Sequence, residues 1–153
     1  MFGEMELQTL NLPSFHGKVT EIEGKSRIFD PIRKKYVVLT PEEWVRQHVI
    51  NLLINVLNYP KSLLKIESGL TYHDLAKRTD IVVYDKEAKP YLLVECKAAE
   101  VKIDKKTISQ ASVYNKTLKA PYVALSNGLK TFCFEMDFEK GTSEQMKTLP
   151  ERP

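Results

Sequence analysis

Two short apolar runs constrain this chain more than anything else in it. Ile81-Val82-Val83 and Leu92-Leu93-Val94 are unbroken, and the polar stretch Asp85–Lys89 between them reads as a turn. A strand with one wet face alternates polar and apolar residues. An unbroken run predicts a strand covered on both faces. Such a strand needs a layer above and a layer below, and helices on both faces of a sheet supply them.

The flanking segments fit that demand. Thr40-Pro41-Glu42-Glu43 carries an N-cap, a proline suited to the first helical position and the third-residue acid of a capping box. Val45, Val49, Leu52, Leu53, Val56 and Leu57 follow at helical spacing, so a helix is predicted from about Pro41 to Leu57, ending before Pro60. Leu63–Glu67, Thr79–Tyr84 and Tyr91–Lys97 read as three strands. Asp104 caps a second predicted helix over Lys105–Leu118. Tyr122–Leu125 and Lys130–Glu135 flank Asn127-Gly128, a hairpin signal, and Arg27–Phe29 with Tyr36–Leu39 form another around Asp30-Pro31. The expected class is α/β, a mixed central sheet flanked by helices, in one domain spanning 1–153. Residues 1–26 read as a loosely packed arm or an edge strand, and 138–153 as a flexible, fraying tail.

Composition excludes several classes. Hydrophobic residues make up 42% and charged residues 28% of the chain, which places it among globular rather than disordered sequences. No apolar run approaches the roughly 18 residues of a membrane span, and Met1–Leu12 lacks the basic start of a secretory signal. Cys96 and Cys133 stand far apart without a CxxC, so reduced thiols and a cytoplasmic setting are expected. Gly24-Lys25-Ser26 is not a P-loop, because Val19 stands where its first glycine is needed. The net charge of +3 is compatible with nucleic acid without arguing for it. Lys102, Lys105, Lys106, Lys116 and Lys119, taken alone, read as a solvated helix face.

The charged tips of the two apolar strands suggest chemistry. Asp80 opens one strand, and Glu95 and Lys97 end the next. Antiparallel neighbours joined by a short turn bring the start of the first beside the end of the second. Glu95 and Lys97, two apart, share a face. Two carboxylates offer the oxygen ligands that Mg²⁺ or Mn²⁺ prefers, and the Cys96 carbonyl between the side chains offers a third. Such a cation would polarise a phosphoryl oxygen, and Lys97 would orient water or meet developing charge. The plainer reading is an exposed ion pair worth under about 1 kcal/mol. Charges tipping two successive apolar strands favour the chemical one.

These residues resemble the PD-(D/E)xK nuclease motif. The ordered set of Thr40-Pro41-Glu42-Glu43-Trp44-Val45-Arg46-Gln47, Arg78-Thr79-Asp80-Ile81-Val82-Val83, Val94-Glu95-Cys96-Lys97-Ala98, Gln110 to Tyr114-Asn115, and Leu125-Ser126-Asn127-Gly128 is similar to the N-terminal nuclease domain of type I restriction enzyme R subunits, in its small stand-alone form. The resemblance covers roughly Arg27 to Met136. It implies a restriction-endonuclease-like fold and a Mg²⁺- or Mn²⁺-dependent DNA endonuclease or nuclease subunit. It implies Asp80 and Glu95 as metal ligands, Lys97 as the catalytic lysine, and Glu43, or less so Glu42, as the first-helix acid. Gln110 and Tyr114 match a QxxxY element that supports the site and contacts nucleic acid. Restriction-modification or helicase subunits become candidate partners. The chain departs from the pattern in two ways: Thr79 replaces the proline of the motif's name, and no motor with a P-loop is present. DNA translocation by this polypeptide alone is therefore excluded. The alternative is a non-catalytic nucleic-acid-binding or assembly module that retains the fold.

Several residues carry plainer readings of equal interest. Glu43 reads first as half of its capping box and second as a metal acid. His48 reads as a packed, hydrogen-bonded histidine, Trp44 as a packing residue and Cys96 as buried and inert. Tyr36, Tyr84, Tyr91 and Tyr122 read as core or cross-strand residues rather than stacking platforms. Arg78 would pair with a phosphate or with Glu67, while His16 and His73 have no partner readable from sequence.

Overall fold

A computed structural model describes residues 7–68 and 79–153. Arg78 and His73 therefore lie outside the described residues, as does the start of the N-terminal arm.

The described residues build two sheets. The first is antiparallel, with strands β1 (Val19–Ile22), β2 (Lys25–Asp30) and β3 (Lys35–Val38) in that order. The arm thus contributes an edge strand, one of the two forms expected of it. The second sheet holds β4 (Leu64–Ser68), β5 (Thr79–Tyr84), β6 (Pro90–Cys96), β7 (Tyr122–Ser126), β8 (Thr131–Asp137) and β9 (Thr142–Met146), ordered as in the sequence. All its pairs are antiparallel except β6 with β7, which run parallel. Parallel neighbours need a crossover, and helix α2 (Lys105–Leu118) provides it. The architecture is α/β with a mixed sheet.

Side-chain alternation explains the unbroken apolar runs. Ile81, Val83, Leu92 and Val94 pack with Val45, Val49, Ile50 and Leu53 on one face of the sheet. Val82, Leu93, Val123 and Leu125 pack with Ala111 and Ala120 on the other. Each Val, Leu or Ile side chain so buried contributes about 1.5–3 kcal/mol.

Helix α1 (Pro41–Asn51) begins as predicted, with Thr40 Oγ1 accepting from the Glu43 amide at 3.0 Å. It continues through a π-helical turn over Leu52–Val56, closed by Leu57 N to Leu52 O at 2.9 Å. Asn58 then takes a left-handed φ of 59° ahead of Pro60. Asp104 caps α2 in a full capping box with Thr107. No helix among the described residues is long and apolar enough to cross a membrane.

The expectation of a fraying end at 138–153 needs correction. β9 pairs with β8, Met146 and Leu149 pack against the core, and Tyr59 Oη donates to Pro150 O at 2.5 Å. A polar sequence misleads here because an edge strand has one wet side and draws its hold from main-chain hydrogen bonds.

Candidate functional site

The turn between β5 and β6 sets the geometry of the site. Their register pairs Ile81 with Val94, and the next step places Asp80 opposite Glu95. Directly opposed residues share a face. It is the α2 face, since Val82 and Leu93, two residues inward, pack there. Asp80 is 2% and Glu95 3% exposed, so both acids are buried where the plainer reading supposed exposed ones. Lys97 Nζ lies 3.0 Å from Glu95 Oε1, with the lysine side chain partly exposed. The three sequence-predicted residues are brought together at one rim.

The loop beyond Lys97 is braced from the neighbouring hairpin. Lys97 N donates to Ser126 O at 2.8 Å, and Asn127 Nδ2 to Val101 O at 2.8 Å. Asn127 Oδ1 accepts from the Leu129 and Lys130 amides. The sequence marked Asn127-Gly128 as a turn signal and as part of the resemblance, without a role for the asparagine side chain. The asparagine also ties the hairpin to the loop that follows the acid–lysine strand. Gly128 is required there: its φ is +84°, and a Cβ would stand 2.8 Å from a methyl of Leu10.

Glu67 is a further carboxylate that the sequence reading left out of the site. It pairs with Asp80 across β4 and β5, completing a cross-strand row of Glu67, Asp80 and Glu95. Its carboxylate, however, accepts from Tyr84 Oη at 2.5 Å. Burial and that bond push the Tyr84 phenol up to about 12. The signal for Glu67 was its place at the end of the preceding strand candidate.

Glu43 corrects its own first reading. Its amide is capped by Thr40, but its carboxylate does not turn back to complete a box. It accepts from Arg33 Nη2 at 2.7 Å, Arg46 Nη1 at 2.9 Å and Gln47 Nε2 at 3.1 Å. Arg33 is in turn held by Asp30 at 2.6 Å, so the β2–β3 turn is clamped to α1. Burial lowers the Arg46 guanidinium pKa, but Glu43, Cys96 and Glu42 more than offset this, and the net shift is upward. Arg46 and Gln47, three and four residues after Glu43, were legible as helix-face partners.

The remaining candidates divide. Gln110 is exposed and Tyr114 half-buried against the α2-side core, so the four-residue spacing puts them on neighbouring rather than equal ground. Cys96 points to the α1 side, where burial raises its thiol well above the usual range against the opposing pull of Arg46. Cys133 is also a free thiol. His48 Nδ1 lies 2.8 Å from Trp44 O, and its ring meets Phe15 and Trp44 edge-on, in keeping with a packed histidine. Trp44 Nε1 donates to Gln8 O at 2.8 Å. A cleft of about 230 Å³, lined by residues such as Leu12, Leu52 and Met146, lies apart from this rim.

The family known as type I restriction enzyme R protein N terminus (HSDR_N) matches residues 41–150. The chain belongs to that family. The match takes in α1, the rim residues Asp80, Glu95 and Lys97, and all of α2, while the three-stranded sheet precedes it. No curated protein and no solved structure matches this member of the type I R-protein N-terminal family.

The rim's donor chemistry suits a hard divalent cation. Two buried carboxylates on one face are what Mg²⁺ takes from a protein, the rest of its shell being water or substrate oxygen. Among the described residues no group of three or more His, Cys, Asp or Glu is placed to hold a metal.

Proposed function

We propose that this protein is a divalent-metal-dependent DNA nuclease, or the nuclease subunit of a restriction system. The observation that carries the reading is the opposition of two nearly buried carboxylates, Asp80 and Glu95, with Lys97 at 3.0 Å from the second. Membership of the R-protein N-terminal family supports the restriction-related context.

Asp80, Glu95 and the Cys96 carbonyl would hold Mg²⁺ or Mn²⁺. When bound, the cation supplies Lewis-acid stabilisation of charge on a phosphodiester. Lys97, partly exposed, places an ammonium where a phosphate approaching the rim would meet it. Asn127 and Ser126 act by position: they fix the loop from which that ammonium projects. Gln110, on the exposed side of α2, would contact the polymer, and Tyr114 would support the rim from the core side. No residue is needed as a covalent nucleophile.

One observation favours a second reading, a binding or assembly module without turnover. The Glu43 carboxylate is occupied by Arg33, Arg46 and Gln47, and Glu42 pairs with Arg46. Purified protein should cleave DNA only with Mg²⁺ or Mn²⁺. Asp80→Ala and Lys97→Ala should each abolish cleavage while circular dichroism is unchanged. Variants that cleave like the parent, or calorimetry that detects no Mn²⁺ binding, would overturn the nuclease reading in favour of the second.

A further inference from the structure

The three-stranded sheet has an outer face on which three apolar side chains stand exposed. Its register arranges that face in cross-strand rows. Phe29 sits opposite Tyr36 and, through the hydrogen bond its amide donates to the Lys18 carbonyl, beside Lys18. Thr20, Arg27 and Val38 form the next row, and Ile22 with Lys25 the third. The inner face is set apart by Ile28 and Asp30, both wholly buried. On the outer face Ile22 is 39%, Tyr36 38% and Val38 41% exposed, an unusual concentration of apolar surface on such short strands.

Each row carries one cation and none carries an acid, because Glu21 belongs to the inner-facing set and Glu23 to the β1–β2 turn. Phe29 and Tyr36 meet edge to face at 5.3 Å, and Lys18 Nζ stands 5.7 Å from the Phe29 ring centre. We propose that this face is a docking platform for single-stranded nucleic acid, Tyr36 and Phe29 taking base faces and Lys18, Lys25 and Arg27 taking phosphates.

The chemistry selects this occupant over others. The exposed Tyr36 ring, with the partly buried Phe29 ring beside it, accepts unstacked bases of any sequence, whereas a duplex keeps its base faces hidden. A second copy laid face to face would set these cations against their own kind. At about 4.8 Å between strands and 3.3 Å per residue, the platform measures roughly 10 by 13 Å, room for about two bases. The inference depends on the proposed function only for the kind of polymer, since the sheet lies before the 41–150 match.

Anisotropy of a labelled oligo(dT) of about 12 nucleotides, and of a duplex of equal length, tests it on the full chain in EDTA. Tyr36→Ala should weaken oligo(dT) binding about tenfold or more and leave duplex binding unchanged. Lys18→Ala and Lys25→Ala should each lower the slope of log affinity against log salt by about 0.7, while Lys140→Ala, in the β8–β9 turn, should not. Melting curves verify folding, and Phe29→Leu provides a second variant at the ring pair. Unchanged oligo(dT) affinity in a folded Tyr36→Ala protein overturns the proposal. So does an equal loss for duplex, or sedimentation showing that Tyr36→Ala instead dissolves a dimer. The two readings fail separately: metal-dependent cleavage lost with Asp80→Ala but Tyr36-independent binding sinks the platform alone, and Tyr36-dependent binding without any cleavage sinks the nuclease alone.

Discussion

Replacing Glu43 by alanine distinguishes a clamp from a metal acid by the sign of its effect on stability. The carboxylate is 7% exposed and accepts three hydrogen bonds, two of them from guanidinium groups. Arg46, 4% exposed, would keep its charge while losing a buried partner, and its pair with Glu42 is half-exposed. Removing one member of a buried pair costs about 3–5 kcal/mol, because the stranded charge stays desolvated. For a chain of this length each kcal/mol moves the melting point by about 2–4 °C, so a fall of roughly 6–20 °C is expected. Glu42→Ala, which breaks a half-exposed pair, should cost under about 1 kcal/mol. Thermal melts in EDTA measure both variants without metal. A ligand carboxylate crowded near Asp80 would behave oppositely, since its removal relieves repulsion and stabilises the apoprotein. A Glu43→Ala protein that melts at or above the parent temperature would refute the clamp.

Two further outcomes follow from geometry away from the rim. Burial lowers the His48 pKa below its ordinary value near 6.5, opposed by its bond to Trp44 O. The unfolded chain therefore protonates first as pH falls, so stability is full above about 6.5 and drains away from there down to the depressed folded value. The urea midpoint should show that slope, and His48→Gln should flatten it; a slope unchanged in the variant would contradict the assignment. Gly128→Ala should destabilise by more than about 1 kcal/mol in urea melts, since it meets both a left-handed φ and the Leu10 side chain, and a neutral result would show that the turn can relax.

Much of this arrangement was legible because its signals were local. Thr40-Pro41 and Asp104 mark helix starts through hydrogen bonds made within four residues, and the unbroken runs at 81–83 and 92–94 report a two-sided burial that no loop could mimic. The opposition of Asp80 and Glu95 followed from the short turn that fixes their register. What stayed hidden depends on contacts distant in sequence. Arg33 reaches Glu43 on α1 from the β2–β3 turn, Glu67 joins the row across β4, and Tyr59 anchors the chain end through Pro150. The outward aspect of Tyr36 was likewise hidden, because strand propensity says which residues alternate and not which of the two faces meets a core. The π turn at Leu52–Val56 left the helical spacing readable, as it adds a residue without ending the helix.

The single parallel seam in the larger sheet also divides the labour of folding. Strands β4 to β6 and β7 to β9 are each built from antiparallel neighbours, while β6 and β7 meet only after α2 has returned the chain to the starting edge. Each outer trio can zip from short closures, but the seam waits on a long one, whose entropy must be met before its pairing gives anything back. Until that join is made, β6 and β7 each present a bare, strongly apolar border. The crossover helix that covers one face of the finished sheet is therefore also the element whose timing decides how long those borders are open to a neighbouring chain.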